Sequence, residues 1–364
     1  MNTISPTVPA VLNCETRLLM NRRNFLRATG LAAATIQVAP GFAAKDRQAK
    51  IKIGFLGGAH SHALEKWKTV SASTDYELIG LCEESSTVQA GFIKLGTKIL
   101  SREELLTQCE VIAVESAVRD HARYAKLALL AGKHVHVEKP PSVTMHECEE
   151  LVRLAKEKKL VFQTGYMWRF HPGLNRVIEA VQQGWLGDVF LVRAQMNSLV
   201  DAKQRPQWAE FKGGAMFELG CHLIDAVVRL LGKPVKVIPH LQQRGDDGLA
   251  DNCTAVLEFA RAQAIVTSAV LQPNAFAHRF IEVIGTNGTA RIQPIEPPVL
   301  TLDLAKAAGP YKSGAQSVEL PTYRRYAPEF AALSAQVRGG GKPDISLETE
   351  LLVQETLLRA CEML

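Results

Sequence analysis

The stretch KIKIGFLGGAHSH, residues 50–62, decides the fold of this chain. A short apolar strand runs directly into a glycine-rich turn, which is how a strand–helix–strand unit brings backbone amides close to a pyrophosphate. A second short strand, HVHVE at 134–138, leads into Glu138-Lys139-Pro140. Because the carboxyl ends of parallel strands open into one crevice, Lys139 is expected beside whatever the glycine turn binds. The two stretches together indicate chemistry on a nicotinamide dinucleotide.

Outward from this stretch, strands alternate with helices of about a dozen residues. Such alternation predicts a parallel, doubly wound sheet with helices on both faces. The predicted strands are 51–57, 76–82, 110–114, 134–138 and 160–166, and the predicted helices are 61–71, 120–132, 145–159 and one that begins at Ser101.

After residue 166, strand-like runs follow one another, which predicts an antiparallel sheet. One long helix is predicted over 213–232, and two more end the chain. The predicted architecture is α/β, a Rossmann domain followed by an α+β domain with a large open, mostly antiparallel sheet. The predicted boundaries are 45–165 for the Rossmann domain, 166–345 for the α+β domain and 346–364 for a C-terminal helix.

Composition excludes several classes of function. The chain has 364 residues, 22% of them charged, and a net charge of +5 that is not concentrated on one segment. No stretch interleaves basic and aromatic side chains, so nucleic acid is not an expected partner. The internal apolar runs are too short for a stable membrane span. Seven cysteines show no CxxC pair or Cys/His spacing, so no metal is predicted.

The first 44 residues are predicted to be a targeting segment. Arg22 and Arg23 form a twin-arginine pattern, and an alanine-rich apolar stretch follows it. Such signals direct proteins to the twin-arginine export machinery, which predicts a periplasmic or extracellular location. Met20 offers an alternative start, and small residues near Ala43 offer a cleavage site. The alternative is an amphipathic or disordered tail.

Four motifs in order resemble the glucose-fructose oxidoreductase / inositol dehydrogenase / MocA family. They are KIGFLGG, LLAGKHVHVEKPPSVT, YMWRFHPGLNRVIEAVQQGWLGDV and GGAMFELGCHLIDAVVRLLG. The resemblance covers nearly all of the chain after the targeting segment. It implies NAD(P)-linked oxidation or reduction of a carbohydrate carbinol, and a homo-oligomer, dimer or tetramer, built on the open sheet.

The expected cofactor residues lie at the glycine turn and at the ends of the first strands. Glu83 follows the second strand, where a carboxylate can accept from the adenosine ribose and repel a 2′-phosphate, so NAD is favoured over NADP. An empty Rossmann-like turn and a solvated Glu83 are the alternatives. Relatives carry glycine where this chain has Ala59 and His62, and Thr-Pro where it has Glu115-Ser116. The predicted set is Gly57, Gly58, Ala59, His60, Glu83, Glu115, His121, Glu138 and Lys139.

Three residues are predicted to be catalytic. Lys139 is expected to hydrogen-bond the reacting hydroxyl, to stabilise alkoxide charge and, if burial lowers its pKa, to transfer a proton. Glu218 and His222 lie four residues apart on one helix, hence on one face. The resemblance makes His222 a general acid/base and Glu218, an aspartate in relatives, an orienting carboxylate. The alternatives are that Lys139 is an exposed lysine in a salt bridge, and that Glu218 and His222 are an ordinary pair on the surface of a helix.

The expected substrate-binding residues combine stacking surfaces with hydrogen-bond donors, as sugar hydroxyls require. They are Tyr166, Trp168, Arg169, His171 and Asp225, with Trp168 equally plausible as core packing. Two other functions stay open on the same residues. One is a glycosidase that retains NAD and cleaves by transient oxidation and elimination, and the other is a non-catalytic carbohydrate-binding protein.

Overall fold

Two sheets organise the protein, and the glycine turn lies at the edge of the first. The computed structural model describes residues 49–341 and 345–364, so the predicted targeting segment lies outside the described residues. Within the described ranges, no helix has the length and apolar character needed to cross a membrane.

The first sheet is parallel and has the strand order β2-β1-β3-β4-β5, which confirms the predicted Rossmann architecture. Its central strands are buried on both faces, as their continuous apolar sequences require. The chain passes from β1 to β2 on one side and then crosses from β2 to β3 on the other side of β1, so the ends of β1 and β3 form the topological switch point where doubly wound sheets bind ligands. The strands are β1 Ile51–Leu56, β2 Tyr76–Cys82, β3 Val111–Val114, β4 His134–Val137 and β5 Phe162–Thr164.

Five helices cover the first sheet. Two of them begin with a capping box, in which a hydroxyl and a glutamate three residues later satisfy each other's backbone amides, at Ser101–Glu104 and Thr144–Glu147. The helix over Ser86–Ile93 is not indicated by the sequence patterns, because its hydrophobic residues do not recur on one face. The helices are α1 Ala63–Ser71, α2 Ser86–Ile93, α3 Arg102–Gln108, α4 His121–Leu130 and α5 Met145–Lys158.

The second sheet has eight strands in the order β13-β12-β11-β10-β6-β9-β8-β7. Its strand pairs are antiparallel except for β6 with β9, which confirms a mostly antiparallel sheet. The last two strands, which extend one edge, are not indicated by the sequence patterns. The strands are β6 Val189–Gln195, β7 Lys236–Gln242, β8 Asn252–Glu258, β9 Gln263–Ala269, β10 Phe280–Gly285, β11 Gly288–Ile292, β12 Leu300–Leu304 and β13 Gly314–Val318.

Three helices belong to this part of the chain. Before β6 lies α6 Pro172–Gln182, and between β6 and β7 lie α7 Arg205–Ala209 and α8 Cys221–Leu231. The long helix predicted over 213–232 is present, but its first part is a π-helical turn, Met216–Gly220, that leads into α8. A π-helical turn adds a residue to one turn of the helix, so it changes which side chains share a face.

The last two helices, α9 Ala327–Val337 and α10 Leu347–Ala360, return to the first sheet. The Tyr76 hydroxyl at the start of β2 donates to the Phe330 carbonyl at 2.7 Å. Arg338, just after α9, pairs with Asp75 at 2.6 Å. The end of the described chain therefore completes the packing of its beginning.

Candidate active site

The glycine turn requires glycine at its first position. Gly57 has φ +82°, and a Cβ there would lie 2.5 Å from the Cβ of Ser116. The adjacent Gly58 N–H donates to the Glu83 Oε2 at 2.8 Å, and Ser85 N–H donates to the Glu83 Oε1 at 2.9 Å. Glu83 thus ties the turn to the end of β2, at the position where the sequence predicted a ribose-binding carboxylate.

A cavity of about 310 Å³ opens beside Glu83. Gly57, Cys82 and Tyr124 also line it, between the ends of β1 and β2 and the first turn of α3. In a Rossmann domain this is the place of the adenosine half of a dinucleotide. The cradle at Gly57, which a side chain would fill, and the carboxylate beside it fit such a cofactor.

A larger cleft of about 520 Å³ lies on the other side of the turn. Ala59, His60 and His62 line it from the turn, and the three predicted catalytic residues Lys139, Glu218 and His222 line it from the opposite side. The structure therefore brings the predicted catalytic residues together and places them within reach of the glycine turn.

Lys139 is only 4% exposed, and its Nζ donates to the Glu218 carbonyl at 3.0 Å. The Glu218 Oε2 lies 3.8 Å from the same Nζ. Burial lowers the pKa of Lys139, but Cys221 and the Glu218 carboxylate outweigh it, so the net pKa is raised. The expectation that burial would lower its pKa enough for proton transfer is wrong. Lys139 stays an ammonium donor.

His222 is 2% exposed, and its Nδ1 has no hydrogen-bond partner among the described residues. Its ring lies between Trp168, at a centroid distance of 5.1 Å, and Tyr166, at 5.9 Å. Burial and the nearby Lys139 ammonium hold the pKa of His222 well below its ordinary value. At neutral pH the ring is a neutral imidazole, able to accept a proton from a group in the cleft.

Glu218 lies within the π-helical turn, and that turn aims both its carbonyl and its carboxylate toward Lys139. Burial raises the pKa of Glu218, although Lys139 partly opposes the effect. The raised pKa means that the protonated carboxyl group is more readily formed here than in an exposed glutamate.

Behind the glycine turn lies a fully buried cluster of charges centred on Lys66 of α1. Its Nζ donates to the Glu115 Oε1 at 3.0 Å and also to the Glu138 Oε2. Burial raises the pKa of Glu115 to about 7. Burial also raises that of Glu138, but Lys66 and His60 outweigh it and bring the pKa of Glu138 well below its ordinary value.

Glu115 was expected beside the ribose or nicotinamide, and the structure places it elsewhere. The Lys66 ammonium draws its carboxylate into the interior, and Glu115 does not line either cavity. Glu138 keeps one oxygen toward the turn, where the His62 Nδ1 is 3.1 Å from its Oε1.

His121 also supports the site from behind. Its Nδ1 lies 2.8 Å from the Pro140 carbonyl and its Nε2 lies 3.1 Å from the Ser116 carbonyl. The ring therefore joins the loop after β3 to the loop that carries Lys139.

The five predicted substrate-binding residues do not line the cleft. Arg169 pairs with Asp225 at 2.8 Å and with Glu350 at 2.5 Å, all three buried. Trp168 donates its Nε1–H to the Glu296 Oε1 at 2.9 Å. These partners lie far away in the sequence, so no local pattern could predict that they turn the side chains inward.

The remaining two residues of that set are likewise structural. Tyr166 is 1% exposed and packs edge-on against His222. His171 is the N-cap of α6, where its Nδ1 accepts from the Leu174 N–H at 3.1 Å, and its Nε2 lies 2.8 Å from the Ile295 carbonyl. Tyr166 and Trp168, of these five, form the wall against which His222 packs.

Sequence reasoning missed the residues that form the rest of the cleft. Trp208 and Phe211 come from the segment around α7, and Phe276, Arg279 and Arg325 come from the turns that flank the second sheet. Their only sequence signal is position in connecting segments, where binding residues are common.

Two groups of described side chains have the composition of a metal site. His60, His62 and Glu138 form one, and Glu115, His136 and Glu138 form the other. Each is already held by hydrogen bonds within the protein, such as that of His62 with Glu138. The prediction that the protein uses no metal stays a prediction.

Two family models match the chain. The oxidoreductase family with an NAD-binding Rossmann fold matches residues 51–166, and the GFO/IDH/MocA C-terminal domain matches residues 174–291. The chain belongs to the GFO/IDH/MocA family. The resemblance of its four motifs is thereby confirmed, and the family is one of NAD(P)-dependent oxidoreductases.

Individual relatives match over part of their length. The scyllo-inositol 2-dehydrogenase (NADP(+)) of Bacillus subtilis is 24% identical over 61% of this chain and 64% of its own. The D-glucoside 3-dehydrogenase of Escherichia coli is 29% identical over 44% of this chain. The chain thus spans between 48% and 64% of the length of these two relatives.

A solved structure shows the same fold over nearly its whole length. The UDP-N-acetylglucosamine 3-dehydrogenase of Acidithiobacillus ferrooxidans superposes with a TM-score of 0.72 at 18% identity, covering 87% of this chain and 98% of its own. The GFO/IDH/MocA chain described here therefore shares the arrangement of both sheets with that protein.

Proposed function

We propose that this chain is an NAD-dependent oxidoreductase that transfers a hydride at the carbinol carbon of a sugar, a polyol or a related carbohydrate. The observation that carries the proposal is the convergence of Lys139, Glu218 and His222 on one cleft that the glycine turn also lines. A bound nicotinamide ring supplies the hydride acceptor or donor there. The names of the inositol and glucoside dehydrogenases among its relatives support a carbohydrate substrate.

The environments of the three side chains divide their roles. Lys139, kept protonated by its neighbours, donates to the reacting oxygen and stabilises alkoxide charge. His222, kept neutral by burial and lining the cleft, takes the hydroxyl proton on its imidazole ring. Glu218 orients Lys139 through its carbonyl and faces the substrate with its carboxyl group.

NAD is the proposed cofactor because of Glu83. Its carboxylate faces the smaller cavity, where a 2′-phosphate would meet a negative charge in a partly desolvated site. Titration of nucleotide-free protein with NAD and NADP tests this choice. Tighter binding of NADP would show that Glu83 does not contact the ribose.

The match to a D-glucoside 3-dehydrogenase favours one alternative on the same residues. A glycosidase that retains NAD would oxidise its glycoside transiently, eliminate the aglycone to form a ring double bond, add water across that bond and reduce the carbonyl again with the NADH formed in the first step. Release of a chromogenic aglycone without net formation of NADH selects this alternative. Net NADH formation from sugars or polyols selects the dehydrogenase.

The test of the proposed function is NADH formation with a panel of sugars and polyols by wild type and by His222→Asn. Loss of the positioned base should cost about 10²–10⁴ in rate. Because the pKa of His222 is lowered, the wild-type rate should not fall as pH drops from 8 to 6.5. His146→Asn, an exposed histidine of α5, is the matched control. Near-normal turnover in His222→Asn would reject the assignment.

We also propose that the protein is exported by the twin-arginine route and that it forms a homo-oligomer through its second sheet. Exposed Phe190 on β6, a large apolar side chain on the open sheet, supports the second proposal. Light scattering of the purified protein tests it.

A further inference from the structure

Arg279 lines the cleft and is a buried cation. It follows the turn Ala275–His278 before β10 and is 6% exposed. Among the described residues it forms no ion pair, whereas the other buried arginine, Arg169, pairs with two carboxylates. Burying an unpaired guanidinium is costly, so proteins retain one where a ligand supplies the missing anion.

Two contacts hold the guanidinium in place. Its Nε donates to the Asn197 carbonyl at 2.9 Å, and its Cζ lies 3.8 Å from the centre of the Phe276 ring. Asn197 is itself fixed to β9, since its Oδ1 accepts from the Ala269 N–H at 2.8 Å. The two terminal nitrogens have no hydrogen-bond partner among the described residues and lie along the cleft. This leaves a planar, preorganised pair of donors.

The other charged groups of the cleft are already engaged. Arg325 pairs with Glu296, Arg119 pairs with Glu210 at 3.1 Å, and Lys139 lies beside Glu218. Burial lowers the pKa of Arg279 to about 10, which still leaves it charged at neutral pH. Glu296 acts on Arg279 from a distance but is itself paired with Arg325, so among the described residues of the cleft Arg279 is the cation without an ion pair of its own.

We propose that Arg279 is the subsite for a carboxylate of the substrate, which makes the substrate an acidic sugar such as a uronate or an aldonate. The carboxylate accepts two parallel N–H donors from the free side of the guanidinium, the geometry that arginine matches best. This inference rests on the proposed function for its reaction, and on the cleft alone for its binding.

The binding test does not depend on turnover. Calorimetry with the NAD-loaded protein compares glucuronate with glucose, galacturonate with galactose, and glucose 6-phosphate as a phosphate probe. We expect the uronates to bind at least about 30-fold more tightly than the neutral sugars, and Arg279→Gln to remove most of this preference. Arg261→Gln, an exposed arginine far from the cleft, is the matched control and should keep the preference.

The activity test uses the same pairs. In Arg279→Gln the KM for uronates should rise by at least about 30-fold, and the ratio of kcat/KM for uronates to kcat/KM for neutral sugars should fall by a similar factor. If no compound is oxidised but uronate binding still depends on Arg279, the subsite stands and the proposed function fails. Equal binding of acid and neutral sugars by wild type would overturn the subsite, as would preference for the phosphate or an unchanged preference in Arg279→Gln.

A stability measurement guards against a folding artefact. Because Arg279 forms no ion pair with any described residue, Arg279→Met leaves no carboxylate of that region without its partner, and it should melt at the wild-type temperature or above it. A fall of several degrees would show that the guanidinium is a structural element and would overturn the assignment.

Discussion

Lys66 carries its ammonium group into the interior of the first domain, where two carboxylates surround it. A buried charge is tolerated when it is paired, and removal of one partner leaves the others uncompensated. Glu138 is one of those partners and directly precedes Lys139 in the chain. The position of the catalytic lysine therefore depends on a charge that does not reach the cleft.

At the residue scale, Lys66→Met is expected to lower the free energy of unfolding by about 3–5 kcal/mol, because Glu115 and Glu138 would face each other without a cation. Lys68 lies two residues after Lys66 on α1 and forms an exposed pair with Glu65. Its replacement, Lys68→Met, should lower the free energy of unfolding by at most about 1 kcal/mol. Urea unfolding at neutral pH measures both. Equal losses in the two variants would contradict the account.

Individual side chains also show what the sequence could and could not predict. Lys139 and His222 were predictable because strand ends and helix spacing place them without help from distant residues. Arg169 and Trp168 were not, because their orientation depends on Glu350 and Glu296, more than 120 residues away. Lys66 was missed for the same reason, since its position on α1 gives no sign of the two glutamates.

At the scale of elements, the two sheets could be predicted from the sequence, because the alternation of strands and helices changes near residue 166. The π-helical turn Met216–Gly220 could not be predicted, because it depends on packing against the second sheet. Gly214 lies two residues before that turn and has φ +45°, and a Cβ there would lie 2.4 Å from the Ala250 carbonyl oxygen. The contact fixes where the turn begins relative to β8.

Gly214→Ala should therefore be more damaging than Gly232→Ala, at the other end of the same helix. Both have positive φ, which costs about 1–2 kcal/mol for alanine, but only Gly214 lacks space. We expect at least about 1 kcal/mol of extra destabilisation at Gly214, together with a lower kcat, since Glu218 and Lys139 would shift. Thermal unfolding and NADH formation measure the two effects. Normal kcat in Gly214→Ala would separate the turn from catalysis.

At the scale of the whole molecule, the proposed export makes a direct prediction. Lysine at both Arg22 and Arg23 should trap the precursor in the cytoplasm, because the export machinery reads the paired arginines. Arg17→Lys, upstream of the pattern, is the control and should leave the distribution unchanged. Fractionation of expressing cells, with a blot for the mature chain, gives the result. An unchanged periplasmic fraction in the double variant would reject the proposal.

Because α9 returns to the first sheet, the first domain cannot complete its packing during synthesis until α9 has left the ribosome. Tyr76 bonds to Phe330, 254 residues later in the chain. At ribosomal speeds of roughly 5–20 residues per second, that partner emerges roughly 10 to 50 seconds after Tyr76 does. In the later part of this interval, after β5 has been synthesised, the first domain still exposes the apolar surface that α9 later covers. The nascent chain therefore carries an uncovered apolar surface through much of translation, and it completes its first domain only near the end.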